Sequence, residues 1–222
     1  MKFLVAVLSS LILVACGGGG SDVPAPASSL SGPTLFGSSP VRLLPTSLAN
    51  ETPAKYDGAW REDCNGLIHM RLTKTIAGPS GTTFSIVTKE EYFDNADCTG
   101  ALVATGSYGI PDESVTYWAT LTGVSVKLLT GETIPADVDP ATSVLAVAPM
   151  TFTGSGVTST HMGSTMFATI KFADGTTVDI QRPDLIGQKT VGALLLRNDE
   201  LLALVPIGDS TTSFKVNHRY IR

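Results

Sequence analysis

Acid–base or metal chemistry in this 222-residue chain would begin with His69, His161 and His218, and their spacing supports neither. A zinc site needs His or Cys ligands at short paired intervals, and these three stand far apart with no cysteine pattern beside them. His69 falls on the polar side of an alternating stretch and reads as a solvated surface residue. His161 lies in a Ser/Thr/Gly turn, while His218 shares alternate positions with Phe214, Val216 and Tyr220 and reads as a histidine lining an apolar interior. Glu90 and Glu91 are paired only in sequence: strand neighbours point to opposite faces and cannot flank one bond. Asp94 and Asp97 lack the later ligands and terminal Glu of a calcium loop. No Gly-x-Ser-x-Gly elbow is present, and the Gly17–Gly20 run belongs to a linker, so hydrolase and nucleotide-binding motifs are absent. The expectation is a protein that is not an enzyme, holds no metal and needs no cofactor.

The address is written more clearly. Lys2 supplies one positive charge, and Phe3 to Ala15 is an apolar run broken only by Ser9 and Ser10. That is too short for a transmembrane helix and has the layout of a secretory signal over residues 1–15. It ends in Leu13-Val14-Ala15-Cys16, which resembles the lipobox of bacterial lipoproteins. The resemblance implies cleavage before Cys16, acylation of that residue and attachment to a membrane. At about 0.8 kcal/mol per buried methylene, three acyl chains make a practically permanent anchor. Gly17 stands where the family's inner-membrane retention signal carries Asp, which implies the outer membrane, on its periplasmic or its surface side.

With Cys16 consumed, Cys64 and Cys98 remain in an oxidising compartment, and one disulfide between them is expected. Removal of residues 1–15 takes away Lys2, leaving 14 basic residues against 20 acidic ones. That balance excludes nucleic acid as a partner.

Residues 16–54 read as a flexible, solvated linker. Glycines 17 to 20 open it, and Pro24, Pro26, Pro33, Pro40 and Pro45 among many Ser deny it a helix or a central strand. A coil of that length spans roughly 30 to 40 Å. From residue 55 to 222 the grain is β. Ile68, Met70, Leu72 and Ile76 alternate with His69, Arg71, Thr73 and Thr75, and a turn at Gly78-Pro79-Ser80-Gly81 leads to a Thr-rich aromatic run over 82–93. Further strands are expected over 101–110, 114–122, 124–130 and 143–153. Hairpins are expected at Ala173-Asp174-Gly175, with Met166, Ala168, Ile170 and Phe172 inward, and at Arg197-Asn198-Asp199-Glu200. A last strand covers 214–222. Glu132 to Pro140, with two prolines, reads as a turn-rich segment at a rim. Short alternating strands with frequent turns, and glycines such as Gly106 and Gly109 at bends, call for one all-β domain, an antiparallel up-and-down β-barrel.

Gly58-Ala59-Trp60 is similar to the Gly-x-Trp motif of lipocalins. That resemblance implies a barrel whose Trp plugs the base beneath an Arg from near the C-terminus, a role open to Arg219 or Arg222. With Cys64, Tyr92-Phe93-Asp94 and Cys98-Thr99, the arrangement resembles a group of bacterial lipoproteins with lipocalin-like barrels. Pro183 to Val191 is too short and Gly-interrupted for the lipocalin helix. Two functions follow. One is an envelope interaction module with a filled barrel, binding a protein or the cell wall through an edge strand or the Glu132–Pro140 rim. The other is a carrier of a small apolar ligand in a cavity lined by Met70, Phe84, Tyr117 and Ile170. The leucines of Leu194 to Val205, on both strand faces, favour the first.

Overall fold

A computed structural model describes residues 35–36, 53–108, 110–145, 150–161, 165–183 and 187–222. The signal segment, Cys16, Gly109 and all of the linker except Leu35, Phe36 and its last two residues lie outside the described residues. After a short 3-10 turn at Pro53–Tyr56 the described chain is built from strands. In order these are β1 (Gly58–Glu62), β2 (Met70–Ser80), β3 (Thr83–Phe93), β4 (Leu102–Ser107) and β5 (Glu113–Tyr117). Next come β6 (Leu121–Lys127), β7 (Thr133–Leu145), β8 (Thr151–Thr153), β9 (Val157–His161) and β10 (Thr165–Lys171). The last are β11 (Thr177–Pro183), β12 (Lys189–Arg197), β13 (Glu200–Pro206) and β14 (Ser213–Ile221).

Eleven strands form one sheet, antiparallel except where β6 and β14 run parallel, and β9, β10 and β11 form a second. The main sheet's pairings return on themselves. Steps from β1 through β2, β3, β5, β7, β12 and β13 to β14 lead back to β1, each one antiparallel and each in sequence order. A smaller circuit uses β7, β12, β13 and β14 again and closes through β6. Beyond its pairing with β5, β3 pairs with β4, and β4 with β8.

Both expected hairpins form. Asn198 and Asp199 take positive φ, 49° and 61°, between the paired Arg197 and Glu200, a two-residue turn suited to side chains that tolerate the left-handed region. In the other, Gly175 has φ 86° and donates its N–H to Phe172 O at 3.0 Å.

Glu132–Pro140 is not a rim loop: from Thr133 it belongs to β7, at 13 residues the longest strand. Its prolines are tolerated because of where their missing N–H groups would point. Pro135 lies where, among the described residues, β7 has β6 as its only partner. The Pro140 carbonyl accepts from Trp118 N–H, so its ring nitrogen faces the end of β5.

The side chains sort into three apolar cores. The first holds Tyr56, Trp60, Ile76, Phe84, Ile86, Val115, Tyr117, Leu194, Leu201, Ala203 and Tyr220. The second, beneath the three-stranded sheet, holds Met70, Tyr92, Ala104, Phe152, Ala168, Ile170 and Phe172. In the third lie Val124, Val126, Val138, Ala193, Leu195, Leu202, Leu204, Phe214 and Val216. Leu194 to Val205 is leucine-rich on both faces because β12 and β13 divide the first core from the third. In β14, Val216 pairs Leu204 and His218 pairs Ala203, leaving Asn217 as an extra residue. That bulge reverses the strand's alternation. Phe214 and Val216 therefore enter the third core and Tyr220 the first, so of the three residues expected to share a face with His218 only Tyr220 does, its ring 6.0 Å from the imidazole.

Cys64 and Cys98 form a disulfide across a sequence separation of 34, tying the segment after β1 to the turn after β3. Replacing both with Ser is expected to lower the unfolding free energy by about 3 to 4 kcal/mol, from the loop entropy released to the unfolded chain. Urea unfolding of the oxidised parent and the double variant measures it.

Candidate functional site

Along β2 the inward positions are Met70, Leu72, Lys74 and Ile76; along β3 they are Phe84, Ile86, Thr88, Glu90 and Tyr92. Ile76 and Ile86 belong to the first core, Met70 and Tyr92 to the second, and Leu72 touches both. Lys74, Thr88 and Glu90 thus form a polar layer between two apolar ones. Lys74 Nζ lies 3.0 Å from Thr88 Oγ1 and 3.1 Å from Glu113 Oε2. Ser143 Oγ donates to Glu113 Oε1, and so does the backbone N–H of Leu35, at 2.6 Å. Asp112 Oδ1 accepts from Thr88 N–H at 2.6 Å, and Tyr92 OH donates to Glu90 Oε2 at 2.6 Å. Lys74, Glu90, Asp112, Glu113 and Ser143 are all buried. Burial holds the Asp112 carboxyl above its ordinary value, with Lys74 and the Thr88 hydrogen bonds offsetting part of the shift. Asp112 Oδ2 has no hydrogen-bond partner among the described residues.

A second polar group closes the other end of the first core. Tyr56 OH donates to Asp139 Oδ2 at 2.5 Å, an atom that also meets Lys55 Nζ at 2.5 Å, and Thr120 Oγ1 donates to Asp139 Oδ1. Burial first, and then the Asp139 charge, holds the Tyr56 phenol well above its ordinary value. Trp60 Nε1 donates to Tyr56 O at 2.7 Å. The arginine over the Trp60 indole is Arg222, its guanidinium 4.7 Å from the ring centroid. Arg219, the other candidate for that place, binds Glu200 at 2.6 Å and Asp63 at 2.9 Å instead. Arg219 and Arg222 stand three positions apart, an odd number, so along the extended backbone at the end of β14 they face opposite ways. Gly58 takes φ +119°, a backbone that side chains avoid, which accounts for the glycine two residues before the tryptophan.

The four residues expected to line one cavity are divided between two cores: Phe84 and Tyr117 lie in the first, Met70 and Ile170 in the second. His69 is not freely solvated. It is half-buried, its ring 4.3 Å from that of Phe172 and its Nδ1 3.2 Å from Asp94 O. His218 Nδ1 meets Glu62 Oε1 at 2.5 Å. Glu90 and Glu91 diverge as expected, Glu90 inward and Glu91 outward to Lys89 at 2.7 Å. No group of three or more His, Cys, Asp or Glu among the described residues could hold a metal ion.

Leu35 and Phe36, expected in a solvated linker, are fully buried in the first core. Their sequence signal was available: Phe36 is the one aromatic residue between Phe3 and Tyr56. Lys74, Asp112 and Glu113 were also missed. Lys74 could have been found from its register between Leu72 and Ile76, an inward position for a charge that then needs a partner. No known protein family, characterised protein or solved structure matches the chain.

Two outcomes follow from the polar layer. Lys74→Met leaves Glu113 a buried uncompensated charge and is expected to cost about 3 to 5 kcal/mol, with the double variant Lys74→Met/Glu113→Gln recovering about half; chemical unfolding of both checks it. Asp112 has a raised folded-state value, so the folded chain binds more protons than the unfolded one from about pH 4 upward to that raised value. Its contribution to stability therefore falls as pH rises through this window and is level above it. Asp112→Asn keeps the Thr88 acceptor, and its stability relative to the parent should rise with pH across the same window, read from unfolding midpoints.

Proposed function

We propose that the protein is a lipoprotein anchored in the outer membrane through acylated Cys16, and that its all-β domain is a non-catalytic interaction module of the cell envelope. The main circuit of eight antiparallel strands, joined in sequence order, is read as a lipocalin-like barrel. Its interior is read as solid. The observation that carries this is the content of the first core: Tyr56, Trp60, Phe84 and Tyr220 fully buried, with Leu35 and Phe36 of the same chain packed among them. Large side chains occupy the volume that a carrier would reserve for cargo. The polar groups converge on one another inside rather than at an opening. Recognition then falls to the outer surface, to the exposed edges of the three-stranded sheet or to loops, with an envelope protein or the cell wall as partner. The second reading, a carrier of a small apolar ligand, draws its support from the sequential order of the eight strands, the order of lipid-binding barrels.

The test uses two preparations. The first is the whole chain with its leader, beside a Cys16→Ser variant; the parent is expected in the membrane fraction and the variant in the soluble periplasmic fraction. The second begins at Gly17, so that Leu35 and Phe36 are kept, and is weighed by native mass spectrometry after isolation from the periplasm. A bare mass two hydrogens below the reduced value is expected. A mass excess that vanishes on denaturation would replace the interaction module with the carrier, and a Cys16→Ser chain still in the membrane would remove the lipid anchor.

A further inference from the structure

Every large side chain in the first core but two is delivered by the 3-10 turn or by a strand of the main circuit. Leu35 and Phe36 are delivered by neither, and they stand amid a Gly-, Pro- and Ser-rich sequence. The domain holds a shaped seat for them. Gly192 on β12 has no side chain where Phe36 lies: a Cβ there would fall 2.3 Å from Phe36 Cδ1 and 2.7 Å from its Cγ. Its φ is not positive, so room for a neighbour, rather than turn geometry, accounts for the glycine. That Cβ would also meet Leu204 O at 2.3 Å, so the seat is where two strand backbones and the Phe36 ring come together. A charged acceptor is aimed at the segment's backbone: Leu35 N–H donates to Glu113 Oε1 at 2.6 Å. Glu113 is held ready by Lys74 and Ser143. The contact has the parts of a peptide-recognition site: a cleft for an aromatic ring, a neighbouring aliphatic place and a fixed, charge-assisted acceptor for one main-chain N–H.

We propose that this seat is a peptide-binding site specific for a short aliphatic–aromatic pair with a free main-chain N–H, and that Leu35–Phe36 is its occupant in cis. Recognition rests on the ring, on the adjoining aliphatic side chain and on the hydrogen bond to Glu113. A segment of the same chemistry supplied in trans therefore competes for the seat once the cis segment is no longer covalently joined. The proposal is independent of the lipid anchor, since it concerns the folded domain and its own tether.

The experiment uses the whole chain from Gly17 onward, with every described residue retained and a protease recognition sequence inserted between Pro40 and Thr52. After cleavage the N-terminal fragment is expected to co-elute with the domain in gel filtration. A fluorescent synthetic peptide spanning Ser31 to Pro40, in excess, should replace it. The same peptide carrying Phe36→Ser should bind at least about tenfold more weakly, as loss of a buried aromatic side chain implies. The proposal is overturned if the fragment separates and the folded domain takes up no peptide, or if the fragment stays and never exchanges. It is also overturned if cutting alone abolishes the strand circular dichroism, which would make Leu35–Phe36 a fixed part of the core. Because none of these readouts involves acylation or cargo, they stand or fall apart from the envelope-module reading.

Discussion

The buried ion pair between Lys74 and Glu113 is the constraint from which most of the architecture follows. An ammonium taken out of water is tolerated only when its donors are met, and Lys74 meets Thr88 of β3 and Glu113 of β5, while Glu113 is met in turn by Ser143 of β7. Four strands are thereby held in one alignment. A slip of one residue in β2 would turn Lys74 to the outside and bring Thr73 or Thr75 into its place, leaving Glu113 and Asp112 without their cation. Apolar replacements of similar volume could match such a pair for stability, but they would not penalise a wrong register in the same way. The layer also separates the first core from the second, so that the long β2–β3 hairpin serves both.

The wall formed by β12 and β13 solves a different problem. Most strands of a small β domain have one wet face, and alternation of apolar and polar residues then records which face is inside. Here Leu194, Leu201 and Ala203 fill the first core while Ala193, Leu195, Leu202 and Leu204 fill the third, so neither face is wet. The bulge at Asn217 lets β14 serve the same division: with one extra residue, its early part faces the third core and its late part the first.

Strand content was legible because it is written locally. The alternation through Met70, Leu72 and Ile76, the Asp174-Gly175 turn and the Asn198-Asp199 turn each carry their own structural preference and form as it requires, while Ile68 and His69, expected in the same strand, lie in the turn before it. What the sequence hides is set by partners distant along the chain. Pro135 and Pro140 suggest a break until one knows on which side β7 lacks a neighbour. The register of Lys74 places a charge inward, but no local pattern names the partner it needs, Glu113, 39 residues later. Choosing between Arg219 and Arg222 needs the facing of a strand that carries a bulge, which no periodicity reveals. Leu35 and Phe36 stand in a stretch whose composition predicts solvation, and composition averages over the two residues that matter.

β14 pairs with β1, β13 and β6, so these nine residues complete the larger circuit and the smaller one alike. All other strands of both circuits precede it in order of synthesis. A chain emerging from a ribosome therefore carries three unsatisfied strand edges, on β1, β6 and β13, until β14 arrives. Ring closure waits on every other strand of both circuits, and the interval before it is when a holding chaperone or a degradative protease would find its substrate.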